Sequence, residues 1–366
     1  MITYLYIDDD YENAKRLSMQ FKRKGELDCV PKKCEADFKE QISVIKDSIY
    51  SGLIMDLRLD DKADDSGVYA PYRGTTLAQQ IRTYQKEGNL KSFPLVLFSA
   101  NDKLKDSMGI SDYNLFDYCI SKDDNDNEVK IEEYQLKLIA IANAYQQLDS
   151  KFLLDMFDID QSLLDERFVY ELKVLSKQPK NVIVKFLITQ VLERQGILIN
   201  EDVLFARLGI DKSSISEDTI KRIKSKLIEI KYKDILSEGW ERWWAPKLEK
   251  LWEDEIDKGT YLRAASATYR VEKFSQFFNI NKLKVQSKIG MANSDRFWTV
   301  CKDSNKPLDP VDGFLIQGQD AFYPWQEKEY VSKYYAKYSE NKDIWIDVAP
   351  IERDRYNNLL KQPDNG

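Results

Sequence analysis

Over its first 150 residues the chain switches repeatedly between two hydrophobic periods. Ile2–Ile7, Gly52–Leu57 and Pro94–Ser99 are short apolar runs ending in acidic or turn-forming positions. Between them, Tyr11–Lys24, Ala36–Asp47 and Thr75–Gln85 place apolar residues at helical spacing, as Phe38, Ile42 and Ile45 illustrate. Leu27–Val30 reads as a weaker strand, Asn101–Met108 as a short helix, Asp117–Ser121 as a further strand and Ile131 onward as a long helix. Strand and helix in alternation predict parallel strands joined by helical crossovers. Unbroken apolar runs such as SGLIMD and PLVLFSA predict strands covered on both faces. The expected architecture is α/β, a five-stranded parallel doubly wound sheet, followed by a mostly α-helical region.

The long helix carries a second pattern. Ile131, Tyr134, Leu138, Ile141, Tyr145, Leu148 and Phe152 recur at alternating steps of three and four, an a/d seam. Two readings stay open: a helix that covers the sheet and runs on, or one that forms a homodimer through 131–152. Beyond residue 150, Val182–Gln195 reads as a helix stopped at Gly196, and Glu201–Leu208 as one closed by Gly209. Glu217–Lys231 reads as a third, with Ser214 and Glu217 spaced as a capping box. From Glu238 aromatics dominate, and Pro307, Pro310, Gly313 and Gly318 break the chain around a strand-like LIQG piece, before a helix over Glu327–Tyr338. The pattern divides the chain into 1–150, a helical domain or connector at 151–237, and a Trp-rich, mostly helical part at 238–366.

Composition sharpens that division. Residues 1–150 hold 20 Lys and Arg against 27 Asp and Glu, which accounts for the whole net charge of −7, while all seven tryptophans follow residue 239. At 366 residues the chain is long enough for two or three cores without staples. It contains no histidine, which excludes Ser-His-Asp and Cys-His nucleophile pairs, HExxH zinc sites and a phosphohistidine of its own. Cys29, Cys34, Cys119 and Cys301 form no CxxC pair and read as reduced thiols. MITYLYIDDD lacks the basic start of a signal peptide, and no apolar run is long enough to span a membrane, so a cytoplasmic protein is expected.

In a doubly wound sheet, ligands collect beyond the carboxyl ends of the strands. There the sequence places Asp8-Asp9-Asp10, Asp56, Ser99-Ala100 and Ser121-Lys122. Crowded carboxylates raise one another's pKa. A hard divalent cation resolves the conflict, since Mg²⁺ takes one or two carboxylates with waters and a phosphate. A carboxylate beside it can then attack a phosphoryl group. The pieces YLYIDDD, GLIMDLRL, FPLVLFSAND and DYCISKDD, in this order and at suitable intervals, resemble the receiver domain of two-component response regulators. The resemblance covers about 1–150 and implies a flavodoxin-like fold with Asp56 as phosphoacceptor. It implies Mg²⁺ held by Asp8, Asp9, Asp56 and the carbonyl of Arg58, a switch hydroxyl at Ser99, and Lys122 as ion-pair partner of the phosphate. It also implies a sensor histidine kinase or phosphotransfer protein as donor, and no enzyme activity beyond self-phosphorylation and autodephosphorylation.

The chain departs from that family in places. Asp123 stands where the family places Pro after its lysine, Leu59-Asp60 where it has Met-Pro, and Cys119 where strand five usually carries an aromatic. The stretch between Asp56 and Gly74 is long and holds Asp60, Asp61, Asp64 and Asp65, which read as solvated charges with a second cation as the other reading. Asp202–Leu227 has the outline of a helix-turn-helix with Lys221, Arg222, Lys224 and Lys226, although its region is electrically neutral, against the basic footprint of DNA binders. Trp240, Trp243, Trp244 and Trp252 share a helix face if the region is helical. The expected function is phosphoryl acceptance that controls a non-standard output part through protein contacts. The alternative is a phosphate-independent receiver-like module with a nucleic-acid-binding C-terminal half.

Overall fold

The computed structural model describes the whole chain except residues 48, 64–66, 101–108, 125–126, 340–344 and 363–366. The short helix expected over Asn101–Met108, and Asp64 and Asp65, lie outside the described residues. Two compact units are formed. The first combines Met1–Asp158 with Tyr170–Thr189 and Lys233–Trp240; the second combines Ile159–Val169, Gln190–Tyr232 and Glu241–Gly366.

The first unit is built on five strands, β1 (Ile2–Asp8), β2 (Leu27–Lys33), β3 (Gly52–Met55), β4 (Leu95–Ser99) and β5 (Tyr118–Ser121), all parallel in the order β2-β1-β3-β4-β5. This is the doubly wound, flavodoxin-like arrangement. Helices α1 (Tyr11–Ser18), α2 (Phe38–Lys46), α3 (Gly74–Lys86), α4 (Ile110–Tyr113) and α5 (Glu128–Gln147) connect and follow the strands. Because strand side chains alternate, the sheet feeds two cores. Leu5, Ile7, Leu53, Met55, Leu95 and Leu97 meet α2 and α3 residues such as Ile42, Ile45, Leu77 and Ile81. Tyr4, Tyr6, Ile54, Val96, Phe98 and Ile120 meet Ala14 and Leu17 of α1 and Tyr134 and Leu138 of α5. β2 runs three residues past its expected end, through Pro31. Proline is tolerated there because β2 is an edge strand and bonds only to β1.

The a/d seam of α5 is spent inside this unit. Tyr134, Leu138, Ile141 and Tyr145 are buried, and Phe152, at the seam's end, lies beyond the helix and is exposed. On another flank of α5, a Cβ on Gly239 would come within 2.8 Å of Lys137 Cα, so the Lys233–Trp240 segment lies directly against the helix. A homodimer through 131–152 therefore has no free seam to use. Lys185, from the later insert, donates to the carbonyls of Tyr113 and Phe116 at 3.2 and 3.1 Å.

In the second unit short helices alternate with three antiparallel two-strand pairs, Leu198–Ile199 with Trp243–Trp244, Thr299–Val300 with Pro307–Leu308, and Gly313–Leu315 with Tyr330–Ser332. The helix expected over Glu327–Tyr338 is thus a strand followed by Lys333–Tyr338 alone. The N-cap of Glu217–Lys226 is Ser216, whose hydroxyl accepts from the Thr219 N–H; Ser214 instead donates to the Asp211 carbonyl. Trp243 and Trp244 occupy a strand, so the shared helix face expected for the tryptophans does not form. All seven are drawn into packing or ring contacts, as where Phe168 meets Trp325 edge-on at 5.3 Å. Among the described residues no helix is long and apolar enough to cross a membrane.

Candidate functional site

Parallel strands in register deliver their C-terminal residues to one edge. Ile7 pairs with Met55 and the Asp56 N–H donates to the Ile7 carbonyl at 3.0 Å, which sets Asp8 and Asp56 side by side. Ser99 pairs with Ser121 at the ends of β4 and β5, and Lys122 follows at once. The three expected carboxylates do meet. Asp8, Asp9 and Asp56 are 1%, 7% and 4% exposed, and each brings one carboxylate oxygen within 4.8 Å of the others. Lys122 reaches between two of them, its ammonium 3.0 Å from Asp8 Oδ2 and 3.1 Å from Asp56 Oδ1, while lying 5.5 Å from the centre of the Phe98 ring.

The electrostatics are unbalanced. Burial lifts the Asp56 carboxyl above its ordinary range, with Lys122 opposing and Asp8 adding to the rise. Burial also lifts Asp9, to about 6, against the N–H of Lys62 and helped by Asp8 and Asp56. Burial works to lower the Lys122 ammonium, but Asp56 and Asp8 outweigh it and hold the pKa above the ordinary lysine value. Two buried atoms of the edge have no hydrogen-bond partner among the described residues, Asp56 Oδ1 and Ser99 Oγ. The Lys122 contact with Asp56 Oδ1 is an ion pair whose geometry falls short of a hydrogen bond. An all-oxygen set, negative in excess and with an unfilled acceptor, suits a hard divalent cation better than a soft one.

Other side chains hold the edge in shape. Tyr6, two positions before Asp8 on the same face of β1, donates its hydroxyl to Asp8 Oδ2 and packs edge-on against Phe98 at 5.7 Å. Asp8 Oδ1 accepts from the Asp10 N–H at 2.9 Å, and Asp10 caps α1 by accepting from the Asn13 N–H. Gly74 lets α3 begin hard against β3: a Cβ there would lie 2.3 Å from the Asp56 carbonyl oxygen, and its N–H donates to the Leu57 carbonyl at 2.9 Å. The acids before Asp64 keep some exposure and are paired with arginines. Asp60 accepts from Arg58 at 2.9 Å and Arg73 at 3.3 Å, and the exposed Asp61 pairs with Arg58 at 2.6 Å, so arginines offset part of this acidic charge. The Arg58 guanidinium is committed to that clamp. No cis peptide occurs among the described residues, and Asp123, not Pro, follows Lys122.

Asp8, Asp9, Asp56, Ser99 and Lys122 were legible from strand ends alone. Tyr6, Gly74 and Lys62 were not. The period-two spacing of Tyr4, Tyr6 and Asp8 carried a usable signal for Tyr6. All four cysteines are free, and burial raises the Cys34 thiol to about 11.

No family model matches the chain, and no curated protein does. Solved structures do. A sensor protein from Polaromonas is 18% identical over 37% of this chain and 95% of its own, with a TM-score of 0.26. RcsB from Salmonella enterica serovar Typhimurium, bound to a promoter, is 10% identical over 51% of this chain and 100% of its own, with a TM-score of 0.25. The response regulator LqsR of Legionella pneumophila is 11% identical over 63% of this chain and 75% of its own, with a TM-score of 0.28. Likenesses at this level bear on neither chemistry nor partners.

Proposed function

We propose that the first unit accepts a phosphoryl group on Asp56 and, in doing so, controls the remainder of the chain through protein contacts. The observation that carries this reading is the acidic edge: three buried carboxylates with one ammonium between two of them, and no hydrogen-bond partner for Asp56 Oδ1 or Ser99 Oγ among the described residues. Asp8, Asp9, Asp56 and the Arg58 carbonyl would hold Mg²⁺, which when bound screens the incoming phosphate from the acids. An Asp56 oxygen attacks phosphorus, the bond from phosphorus to the donor's leaving atom breaks, and the leaving group keeps the electron pair. Lys122 moves its ammonium from Asp56 to a phosphoryl oxygen, and the Ser99 hydroxyl supplies a hydrogen bond to another. The donor must be a sensor kinase or phosphotransfer protein, or a small acyl phosphate, because the chain has no imidazole of its own.

Incubation with acetyl phosphate and Mg²⁺, followed by intact-mass measurement, should add one phosphate to the wild type and none to Asp56→Asn. A wild type that stays unmodified while remaining folded overturns the reading.

The alternative, a phosphate-independent module with a nucleic-acid-binding C-terminal half, has the exposed Lys221, Arg222 and Lys226 in its favour. Against it, Lys224 on the same helix is held by Glu201 and Glu241. A mobility-shift series across salt concentrations separates the two, since phosphate contacts give a steep salt dependence.

A further inference from the structure

The chain that follows Asp56 turns back over the acidic pair Asp9 and Asp10, and Lys62 meets each of them once. Its main-chain N–H donates to Asp9 Oδ2 at 2.5 Å, and its ammonium donates to Asp10 Oδ2 at 2.5 Å. Lys62 is otherwise a surface side chain, 58% exposed, and so differs from Lys122, which is 17% exposed and sits between Asp8 and Asp56. The pose of the loop is set from its other end. Arg58 clamps Asp60 and Asp61, Arg73 clamps Asp60, and Gly74 is bonded to the Leu57 carbonyl. Lys62 is therefore delivered to the acidic pair by a braced segment.

The edge thus holds a positive charge of its own on the solvent side, next to carboxylates that a divalent cation would need. One Asp9 oxygen accepts from the Lys62 N–H, which takes one of that carboxylate's lone-pair sites and competes there with a cation. The nearby ammonium repels a second cation, and a surface contact of this kind changes affinity severalfold, not by orders of magnitude.

We propose that Lys62 is a tethered counter-cation: it balances the acidic pair while no metal is bound, and it gives way when a divalent cation enters. Lys62 is then a positioning residue that tunes cation affinity, and the segment around it reports occupancy of the site. The proposal rests on the reading that the edge takes a divalent cation.

The test is calorimetric titration of the full-length protein with MgCl₂, in the wild type, Lys62→Met, Lys62→Gln and Lys15→Met. Lys15 is an exposed lysine of α1 paired with Glu12, and controls for loss of one surface charge. Both Lys62 variants should bind Mg²⁺ about three- to tenfold more tightly than the wild type, with Lys15→Met changed less than twofold. Hydrogen exchange followed by mass spectrometry should show faster exchange over residues 57–63 when Mg²⁺ is added to the wild type, as the Lys62 N–H loses its acceptor.

Equal or weaker binding in the Lys62 variants overturns the inference and leaves the cation reading intact. So does a gain that Lys15→Met reproduces, or exchange that slows on Mg²⁺ addition. No measurable binding in the wild type or in any variant overturns the cation reading, and the inference falls with it.

Discussion

Buried charge occurs in both units, and the two cases differ in how far the protein itself satisfies it. In the second unit the Arg207 guanidinium donates to Glu327 and to the Trp298 carbonyl at 3.2 Å, and lies 4.1 Å from the centre of the Trp298 ring. Arg270, also buried, donates to the carbonyls of Arg207 and Phe297 at 2.7 and 2.9 Å, and burial pulls its pKa down to about 10. One atom of each cluster is left over, Arg270 Nε and Glu327 Oε2, but the two guanidiniums tie four segments together through groups the chain supplies. In the first unit, two of the three buried acids pair with Lys122, and Asp56 Oδ1 and Ser99 Oγ have no hydrogen-bond partner among the described residues. A buried charge satisfied from within argues for architecture, whereas one whose balance needs an added ion or group argues for a ligand.

The comparison breaks most readily at Arg207. Arg207→Ala should cost about 3–5 kcal/mol, because it removes the charge partner of Glu327, leaves it the Trp298 indole N–H, and empties a filled site. Urea denaturation measures this, and a loss under about 1 kcal/mol would mean the pair is not what holds those segments. Mg²⁺ should act on the other side of the comparison. At a hundredfold excess over its dissociation constant it should add about 2.7 kcal/mol to the stability of the wild type, and little to Asp9→Asn. Thermal melts with and without the ion read the difference.

Without metal, removing one acid should help the fold instead of harming it. Asp56→Asn should raise the melting temperature by about 2–4 °C, corresponding to about 1 kcal/mol in a unit of this size. A fall would show that Lys122 already balances the edge. A further expected effect is on pH dependence. Asp9 titrates at about 6 in the folded chain and near 4, the ordinary aspartate value, when unfolded. Between these values the folded state binds more protons, so metal-free stability should fall as pH rises from about 4 to about 6 and then level off. Asp9→Asn should flatten that slope in urea titrations across the same window.

Much of the first unit was legible because its information is local. A period of two or of about 3.6 is a property of neighbouring residues, and the burial it predicts for Ile54, Val96, Leu77 or Ile81 holds regardless of what else the chain does. The edge was legible for the same reason: once the strands are parallel, their last residues must share one side, which brings Asp8, Asp56, Ser99 and Lys122 together. Short-range signals failed where long-range contact prevailed. The seam of α5 has the spacing of a dimer helix, but spacing does not say what it packs against, and Tyr134 and Leu138 go to the sheet.

What the amino-acid order settled unaided was therefore the type of sheet, the oxygen-rich character of its carboxyl edge, and the exclusion of imidazole chemistry by the lack of histidine. Tertiary structure alone decided that Tyr170–Thr189 and Lys233–Trp240 belong with the first unit, where Trp240 meets Tyr118 edge-on at 5.8 Å and Lys137 donates to the Tyr118 hydroxyl at 3.0 Å. It alone decided that Lys62 folds onto Asp9 and Asp10, and that Arg207 finds Glu327. The physical reason is sequence distance: Lys62 lies 53 residues from Asp9 and Arg207 lies 120 from Glu327, and no periodicity links residues whose pairing depends on loop closure and on which surfaces other segments have already covered.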